Sequence, residues 1–205
     1  ELSDIAFSAY QEIDYEESTS DLSMAETTIT LNRRLAGEER IAWAEDLNAK
    51  RGDRRPKDRP EVYAEQVTWF LDHPQEDLIL QAVRIGDLAI TAMPNEVYGI
   101  TGLKLKAQSP FKTTFNMELA NGAAGYIPPP EQHYLGGYTT WPARTAGLEP
   151  DAEPVIVDTL LGLLEELSGQ KRKPLTTDLY NDQQREAIEK AKAEDNNRAN
   201  RGLEH

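Results

Sequence analysis

Two apolar runs in the middle of the chain predict a β-hairpin. They cover residues 78–84 and 88–93 and flank the tripeptide Ile85-Gly86-Asp87. Glycine in that position supplies the positive φ that a tight turn needs. The second run stops at Pro94, and β-branched or apolar runs at residues 27–31 and 112–119 predict two further strands.

Helical spacing of apolar residues is clearest over residues 151–167, and the segment closes at Ser168-Gly169. Weaker patterns of the same period predict helices over residues 35–50 and 61–71, joined by a basic, proline-containing loop. Residues 96–108 are also predicted to be helical, with Asn95 as the N-cap and Glu96 in the first turn. Strands and helices in this order predict an α+β fold, with a mixed β-sheet covered by helices.

The pattern divides the chain into four parts. Residues 1–26 are acidic and are predicted to be extended or mobile, and residues 27–168 are predicted to form the α+β domain. Residues 169–202 have the composition of a polar linker followed by a helix or a disordered tail. The final residues 203–205 resemble the start of a vector-encoded histidine tag, and the first residue is Glu, which predicts a processed protein or an excised domain.

Composition narrows the class of protein. A chain of 205 residues can bury a core without covalent cross-links, and none of its apolar runs approaches the length that spans a bilayer. The 36 acidic and 22 basic residues give a net charge of −14, which disfavours nucleic acid as a partner. The absence of Cys excludes thiolate metal sites and Cys nucleophiles.

Motifs that carry chemistry by themselves are missing from the sequence. It contains no G-x-S-x-G elbow, no phosphate-binding G-x-x-x-x-G-K and no H-E-x-x-H. His73 and His133 are single histidines, which are more often surface or packed residues than metal ligands. The residue patterns therefore do not indicate an enzyme class.

Three spaced blocks do resemble a known family. Residues 84–96 read RIGDLAITAMPNE, residues 119–127 read LANGAAGYI, and residues 130–138 read PEQHYLGGY. In this order they resemble the second half of the catalytic domain of the neutral ceramidases, and the helix over residues 151–167 fits the end of that domain. The resemblance covers about residues 76–168 and implies that the chain is the C-terminal portion of a ceramidase-like catalytic domain.

The resemblance implies roles for three residues. Glu96 and Tyr126 match positions that supply a carboxylate and a phenolic ligand to a catalytic zinc. Tyr138 matches a catalytic tyrosine that hydrogen-bonds the substrate amide or its tetrahedral intermediate. Zinc-bound water attacks an amide carbonyl in such a site. The intact parent would then be a secreted or extracytoplasmic enzyme that hydrolyses the N-acyl amide of a sphingolipid-like molecule.

The chain also departs from the family. The two zinc histidines of the family belong to the first half of the domain, so zinc is expected in the intact parent and not in this chain alone, which is expected to be inactive. The N-terminal half of the parent is then the expected partner. Asn95 stands where the family has Gly, and Asn also tolerates a left-handed backbone.

Other interpretations of the same residues remain open. Glu96 as a carboxylate at a helix start, with Tyr126 and Tyr138 as packed aromatics, would give a similar sequence. The alternative function is a non-catalytic, acidic, extracytoplasmic interaction module that keeps the fold only. An excised domain would also expose apolar surface, which predicts self-association through strand edges or the apolar flank of the hairpin between Leu78 and Met93.

Overall fold

A computed structural model describes residues 1–14 and 21–199, with side chains as far as residue 195. The helices in chain order are α1 (Leu2–Gln11), α2 (Glu38–Arg51), α3 (Arg59–Asp72), α4 (Gly99–Gln108), α5 (Pro130–Leu135), α6 (Ala152–Ser168) and α7 (Asp182–Ala199). The strands are β1 (Leu22–Asn32), β2 (Gln75–Ile85), β3 (Leu88–Ala92), β4 (Glu96–Val97), β5 (Thr113–Met117) and β6 (Tyr126–Ile127). Short 3-10 turns cover Tyr138–Thr140 and Arg144–Ala146.

The main sheet is mixed, as the sequence predicts. Its strand order is β1-β2-β3-β5, with two antiparallel pairs and one parallel pair between β3 and β5. The hairpin of β2 and β3 turns at Gly86, whose φ of 59° lies in the left-handed region. With helices α2 and α3 also close to the predicted ranges, the α+β fold class is confirmed.

Helix α6 covers one face of this sheet. Its apolar stripe, which includes Leu160 and Leu164, packs against Leu78 and Leu80 of β2, and all four side chains are fully buried. The helix ends at Gly169, whose φ of 68° forms a left-handed cap. The strongest helical pattern in the sequence therefore forms the main cover of the core.

The opposite face of the sheet carries apolar side chains that solvent reaches. The strand register places Met24, Val83, Ile90 and Phe115 in one row across all four strands. Met24 is 53% exposed and Phe115 is 41% exposed. The surface, here called the open sheet face, consists of that row and its neighbours Leu22, Ile79, Ile85, Leu88 and Met117.

A buried ion pair links α4 to α6. The Glu153 side chain is 1% exposed, and its carboxylate accepts hydrogen bonds from the Thr101 hydroxyl at 2.8 Å and from the Lys104 ammonium at 3.0 Å. Because a buried carboxylate without partners would be strongly unfavourable, these contacts fix how α4 lies on α6.

The prediction of a helix beginning at residue 96 is wrong. Glu96 belongs to β4, and its backbone N–H donates to the carbonyl of Gly125 at 3.0 Å, so α4 begins only at Gly99. Asn95 is fully buried, and its side-chain amide donates to the Ala124 carbonyl at 3.3 Å instead of capping a helix. Tertiary pairing with a distant segment thus overrides the local capping signal.

The N-terminal segment also differs from the prediction, whereas α7 is a helix within the segment that was predicted to be a polar linker followed by a helix or a disordered tail. Helix α1 occupies part of the segment that was expected to be extended or mobile, and β1 begins at Leu22, before the predicted start at residue 27. Pairing of Leu22 with Ile85 at the far end of β2 explains the longer strand. In the C-terminal segment, α7 places Ile188 in a buried position. The predicted tag remnant at residues 203–205 lies outside the described residues.

Both strands of the hairpin lie inside the sheet. Strand β2 pairs with β1 and β3, and β3 pairs with β2 and β5, so the edges of the sheet are β1 and β5. The strand edges available for the predicted self-association are therefore those of β1 and β5, and the apolar flank of the hairpin forms part of the open sheet face. Self-association through either surface stays a prediction. Within the described residues, no helix is both long and apolar enough to cross a membrane.

Candidate functional site

A two-residue parallel strand pair brings Glu96 next to Tyr126. Strand β4 pairs with β6, and the register sets Glu96 directly opposite Tyr126 and Val97 opposite Ile127. Directly opposed residues of paired strands project to the same side, so the carboxylate and the phenol share one surface. Gly125 precedes Tyr126 with a φ of 78°, a conformation that L side chains rarely adopt.

The third predicted residue, Tyr138, comes from the turn after α5. Gly136 and Gly137 have φ values of 73° and 101°, and this left-handed backbone reverses the chain so that Tyr138 faces the strand pair. The rings of Tyr126 and Tyr138 meet edge to face, with centroids 5.4 Å apart and an interplanar angle of 87°. Such a geometry is favourable for aromatic pairs.

These side chains line a single open cavity of about 420 Å³. Its walls are formed by Glu96, Val97, Tyr98, Tyr126, Gly136, Gly137, Tyr138 and Thr139. Tyr138 is 63% exposed, so it is not a packed core aromatic. The structure therefore places all three sequence-predicted residues on one concave surface, while their roles stay predictions.

The hydroxyl group of Tyr126 interacts with both Tyr138 and Glu96. The hydrogen bond with Tyr138, partial desolvation and the charge of Glu96 raise the pKa of Tyr126 to about 12. The raised pKa keeps the Tyr126 phenol protonated even well above neutral pH.

Two further cavity residues with hydroxyl groups, Tyr98 and Thr139, were not predicted as site residues from the sequence. The Tyr98 hydroxyl lies 2.6 Å from the Thr139 hydroxyl oxygen and closes one wall of the cavity. Tyr98 follows Glu96 by two residues, and in an extended segment such residues share a face. That spacing would have indicated Tyr98 if residues 96–98 had been predicted as strand instead of helix.

Neither His73 nor His133 lines this cavity. His73 stacks on Trp69 with centroids 4.2 Å apart. His133 lies in α5, where desolvation and the charge of Arg34 lower its pKa to about 4. In the part of the chain that the structure describes, the buried Nε2 atom of His133 has no hydrogen-bond partner.

The donor set of the cavity does not fit a catalytic zinc ion by itself. Glu96 and Tyr126 provide a carboxylate and a phenol, whereas catalytic zinc sites usually take three protein donors, with histidine prominent among them. Across residues 1–14 and 21–195, no three His, Asp or Glu side chains lie close enough together to hold a metal ion. These residues could supply at most part of such a site.

The fold and site define an α+β domain with a carboxylate and tyrosine cavity at the edge of a small parallel strand pair.

No protein-family model and no curated protein matches the chain. Among solved structures, a neutral ceramidase from Pseudomonas aeruginosa matches with 11% identity and a TM-score of 0.49, over 78% of this chain and 30% of that one. A structure described as ceramidase complexed with C2 matches with 17% identity and a TM-score of 0.41, over 51% of this chain and 16% of that one. The chain therefore spans less than a third of either protein, and likeness at this level assigns no function.

Proposed function

We propose that this chain is the C-terminal portion of a ceramidase-like amidohydrolase. The intact protein would act outside the cytoplasm and hydrolyse the N-acyl amide bond of a sphingolipid-like molecule. The observation that supports the proposal is the meeting of Glu96, Tyr126 and Tyr138 at one cavity, although they belong to three separate blocks of the sequence. Side chains so distant in sequence need a common surface to act on one substrate.

Within this proposal each side chain has a distinct task. Glu96 and Tyr126 lie directly opposite each other on the strand pair, and their side-chain oxygens would supply two donors of a metal site. Tyr138 is exposed and lines the cavity, and its hydroxyl would donate a hydrogen bond to the amide carbonyl, where negative charge develops during hydrolysis. Tyr98 and Thr139 also line the cavity and are held together by their mutual hydrogen bond.

The missing donors are assigned to the N-terminal half of the parent domain. That half would bring the zinc histidines to the cavity and would also cover the open sheet face. That face carries an exposed apolar row beside polar residues such as Glu26, Thr28 and Gln81, and contiguous exposed apolar patches mark interaction surfaces. The partner of this chain is thus the remainder of its own domain.

The isolated chain is expected to bind Zn²⁺ weakly, because the cavity offers only two of the required donors. Calorimetric titration near neutral pH should give a dissociation constant weaker than micromolar. Glu96→Gln is compared with Glu166→Gln, which removes an exposed carboxylate on α6. Stoichiometric binding tighter than micromolar that disappears only in the Glu96 variant would show that the chain forms the site alone.

The intact protein provides the test of the activity. Tyr138→Phe is expected to lower kcat for a soluble short-chain N-acyl sphingosine about a hundredfold, because a donor to the developing oxyanion is lost. Tyr134→Phe removes the hydroxyl of an exposed tyrosine in α5 that does not line the cavity, and it should leave kcat unchanged. No hydrolysis by the intact protein, or equal kcat values for the two variants, would reject the proposed function.

The second candidate function is the non-catalytic interaction module. The observation that favours it is the open sheet face, which offers a binding surface that requires no chemistry at the cavity. An intact protein that holds no zinc and hydrolyses no N-acyl amide would favour this candidate.

A further inference from the structure

One arginine links the two short turns that lie next to the candidate site. The guanidinium of Arg34 donates to the carbonyl of Thr140 at 2.8 Å and also to the carbonyl of Ala146. Thr140 is the last residue of the turn Tyr138–Thr140, and Ala146 is the last residue of the turn Arg144–Ala146. These two contacts, here called the Arg34 bridge, therefore fix the ends of both turns relative to each other.

The backbone around Arg34 is held by the main sheet. Arg34 follows the end of β1 by two residues, and its N–H donates to the carbonyl of Gly147 at 2.8 Å. The neighbouring Arg33 forms an antiparallel bridge with Leu148, which is buried. Because β1 belongs to a four-stranded sheet, the guanidinium projects from a rigid base.

The charge of Arg34 strengthens the bridge. Among the described residues, no carboxylate lies within 4.0 Å of Arg34. Burial lowers the pKa of its guanidinium, but the usual value is so high that the group stays charged at neutral pH. Charge-assisted hydrogen bonds are stronger than neutral ones, such as the bond between the hydroxyls of Tyr98 and Thr139. The backbone carbonyl groups thus hold a cation that has no acidic partner in the described chain.

At one end, the bridge controls Tyr138. The N–H and the hydroxyl of Thr140 donate to the carbonyl of Gly137 at 3.0 and 2.8 Å, which closes the turn around Tyr138. A Cβ atom at Gly136 or Gly137 would meet nothing within 4 Å, so close packing does not fix these two residues. A displacement of Thr140 would therefore carry Tyr138 with it.

At the other end, the bridge is anchored beside Tyr126. Thr145 precedes Ala146, and its carbonyl oxygen would lie 2.5 Å from a Cβ atom at Gly125. Gly125 precedes Tyr126, and its own carbonyl accepts the backbone N–H of Glu96 at 3.0 Å. Close packing and strand pairing fix this end, so the turn at Tyr138 is the part that the guanidinium holds in place.

We propose that Arg34 is a positioning residue that sets the placement of Tyr138 relative to Tyr126. The rings of the two tyrosines lie 5.4 Å apart, and the bridge joins the turns beside them. A shift of about 1 Å caused by a change away from the reacting atoms can lower a rate about a hundredfold. The effect on the rate rests on the proposed function, whereas the placement itself does not depend on hydrolysis.

NMR of the chain as it stands tests the placement. The unsubstituted chain should show nuclear Overhauser contacts between the rings of Tyr126 and Tyr138, assigned with Y126F and Y138F. R34M removes the guanidinium and should abolish these contacts, while circular dichroism shows an intact fold.

The neighbouring Arg33 provides the matched control. Its guanidinium also donates to two backbone carbonyl groups, those of His73 and Gln75, and it pairs with Glu76 at 2.7 Å. These contacts hold the start of β2 and not the two turns, so R33M should keep the contact between the tyrosine rings. Persistence of that contact in R34M, or its loss in both variants, would overturn the proposal.

Kinetics of the intact protein test how Arg34 acts. R34M should lower kcat about thirtyfold and change KM less than about twofold, because Tyr138 would act on charge that develops in the transition state. In the Y138F background the further loss from R34M should be less than about threefold, because the residue through which Arg34 acts is already disabled. Equal losses in the two backgrounds, or a loss in R33M as large as in R34M, would overturn the proposal.

R34K is the second variant. Lysine keeps the charge but lacks the planar fork that spans two carbonyl groups, so its kcat should lie between those of R34M and the unsubstituted protein. If R34M does not fold, an unchanged kcat and an unchanged ring contact in R34K would overturn the proposal. If the intact protein hydrolyses no N-acyl amide, the proposed function is rejected, and the NMR comparison of R34M with R33M still decides the placement.

Discussion

The isolated chain is expected to self-associate at high concentration, and the double substitution M24K/F115K is expected to return it to a monomer. Both residues belong to the open sheet face, and both are substantially exposed. Contiguous apolar patches of several hundred Å² rarely stay bare in soluble monomers. Sedimentation equilibrium of the two forms measures the effect directly.

The expected weakening of the association is about a thousandfold or more. Burying a Met or Phe side chain contributes about 1.5–3 kcal/mol, and in a symmetric dimer each substitution acts twice. Added salt should strengthen the association of the unsubstituted chain, because the net charge of −14 on each copy opposes it.

The control for this experiment places two lysines on helices. V62K/V155K changes the charge equally at two exposed valines in α3 and α6, outside the open sheet face, and should leave the association intact. If the unsubstituted chain stays strictly monomeric and unfolds cooperatively at high concentration, residues 27–168 form a complete domain. The interpretation of the chain as an excised portion would then be withdrawn.

Gly125→Ala is expected to destabilise the chain by about 4 kcal/mol. A Cβ atom at this position would lie 2.5 Å from the carbonyl oxygen of Thr145, and the φ of 78° is itself unfavourable for alanine. A strained backbone costs about 1–3 kcal/mol, and overpacking against backbone costs a similar amount. For a chain of this length the expected fall in Tm is about 10 °C, measured by thermal denaturation.

The control variant Gly169→Ala separates the cost of the backbone conformation from the cost of the contact with Thr145. Gly169 also has a positive φ, of 68°, but a Cβ atom there would meet nothing within 4 Å. The control should therefore lose only about 1 kcal/mol, from the backbone conformation. Equal losses in the two variants would show that the contact with Thr145 does not hold Gly125 and the neighbouring Tyr126 in place.

The elements that the sequence predicted well are those whose signals are local. The turn at Gly86 lies between the two strands that it joins, and the apolar stripe of α6 repeats within one continuous segment. The parallel pairing of β3 with β5 and the full length of β1 depend on contacts between distant segments. Periodicity along the chain does not contain that information.

The residues of the candidate site were predicted from the resemblance to a family and not from the periodicity of apolar residues. Glu96, Tyr126 and Tyr138 matched spaced family blocks, whereas the local pattern assigned Glu96 to a helix. Strand β4 is only two residues long, and its partner β6 follows after an entire helix and another strand, so no local period could reveal it. Tyr98 was missed for the same reason.

Contacts made by the C-terminal helix α7 limit how far the chain can be shortened. The ammonium of Lys192 lies 6.0 Å from the ring centroid of Tyr134, and the hydroxyl of Tyr180, just before α7, donates to the carboxylate of Glu131. Tyr134 and Glu131 belong to α5, the helix that leads into the Gly136-Gly137 turn. The polar C-terminal segment therefore supports α5 and, through it, the turn that carries Tyr138. A shortened chain that ended after α6 would lose these contacts, although the composition of the segment suggests that it is dispensable.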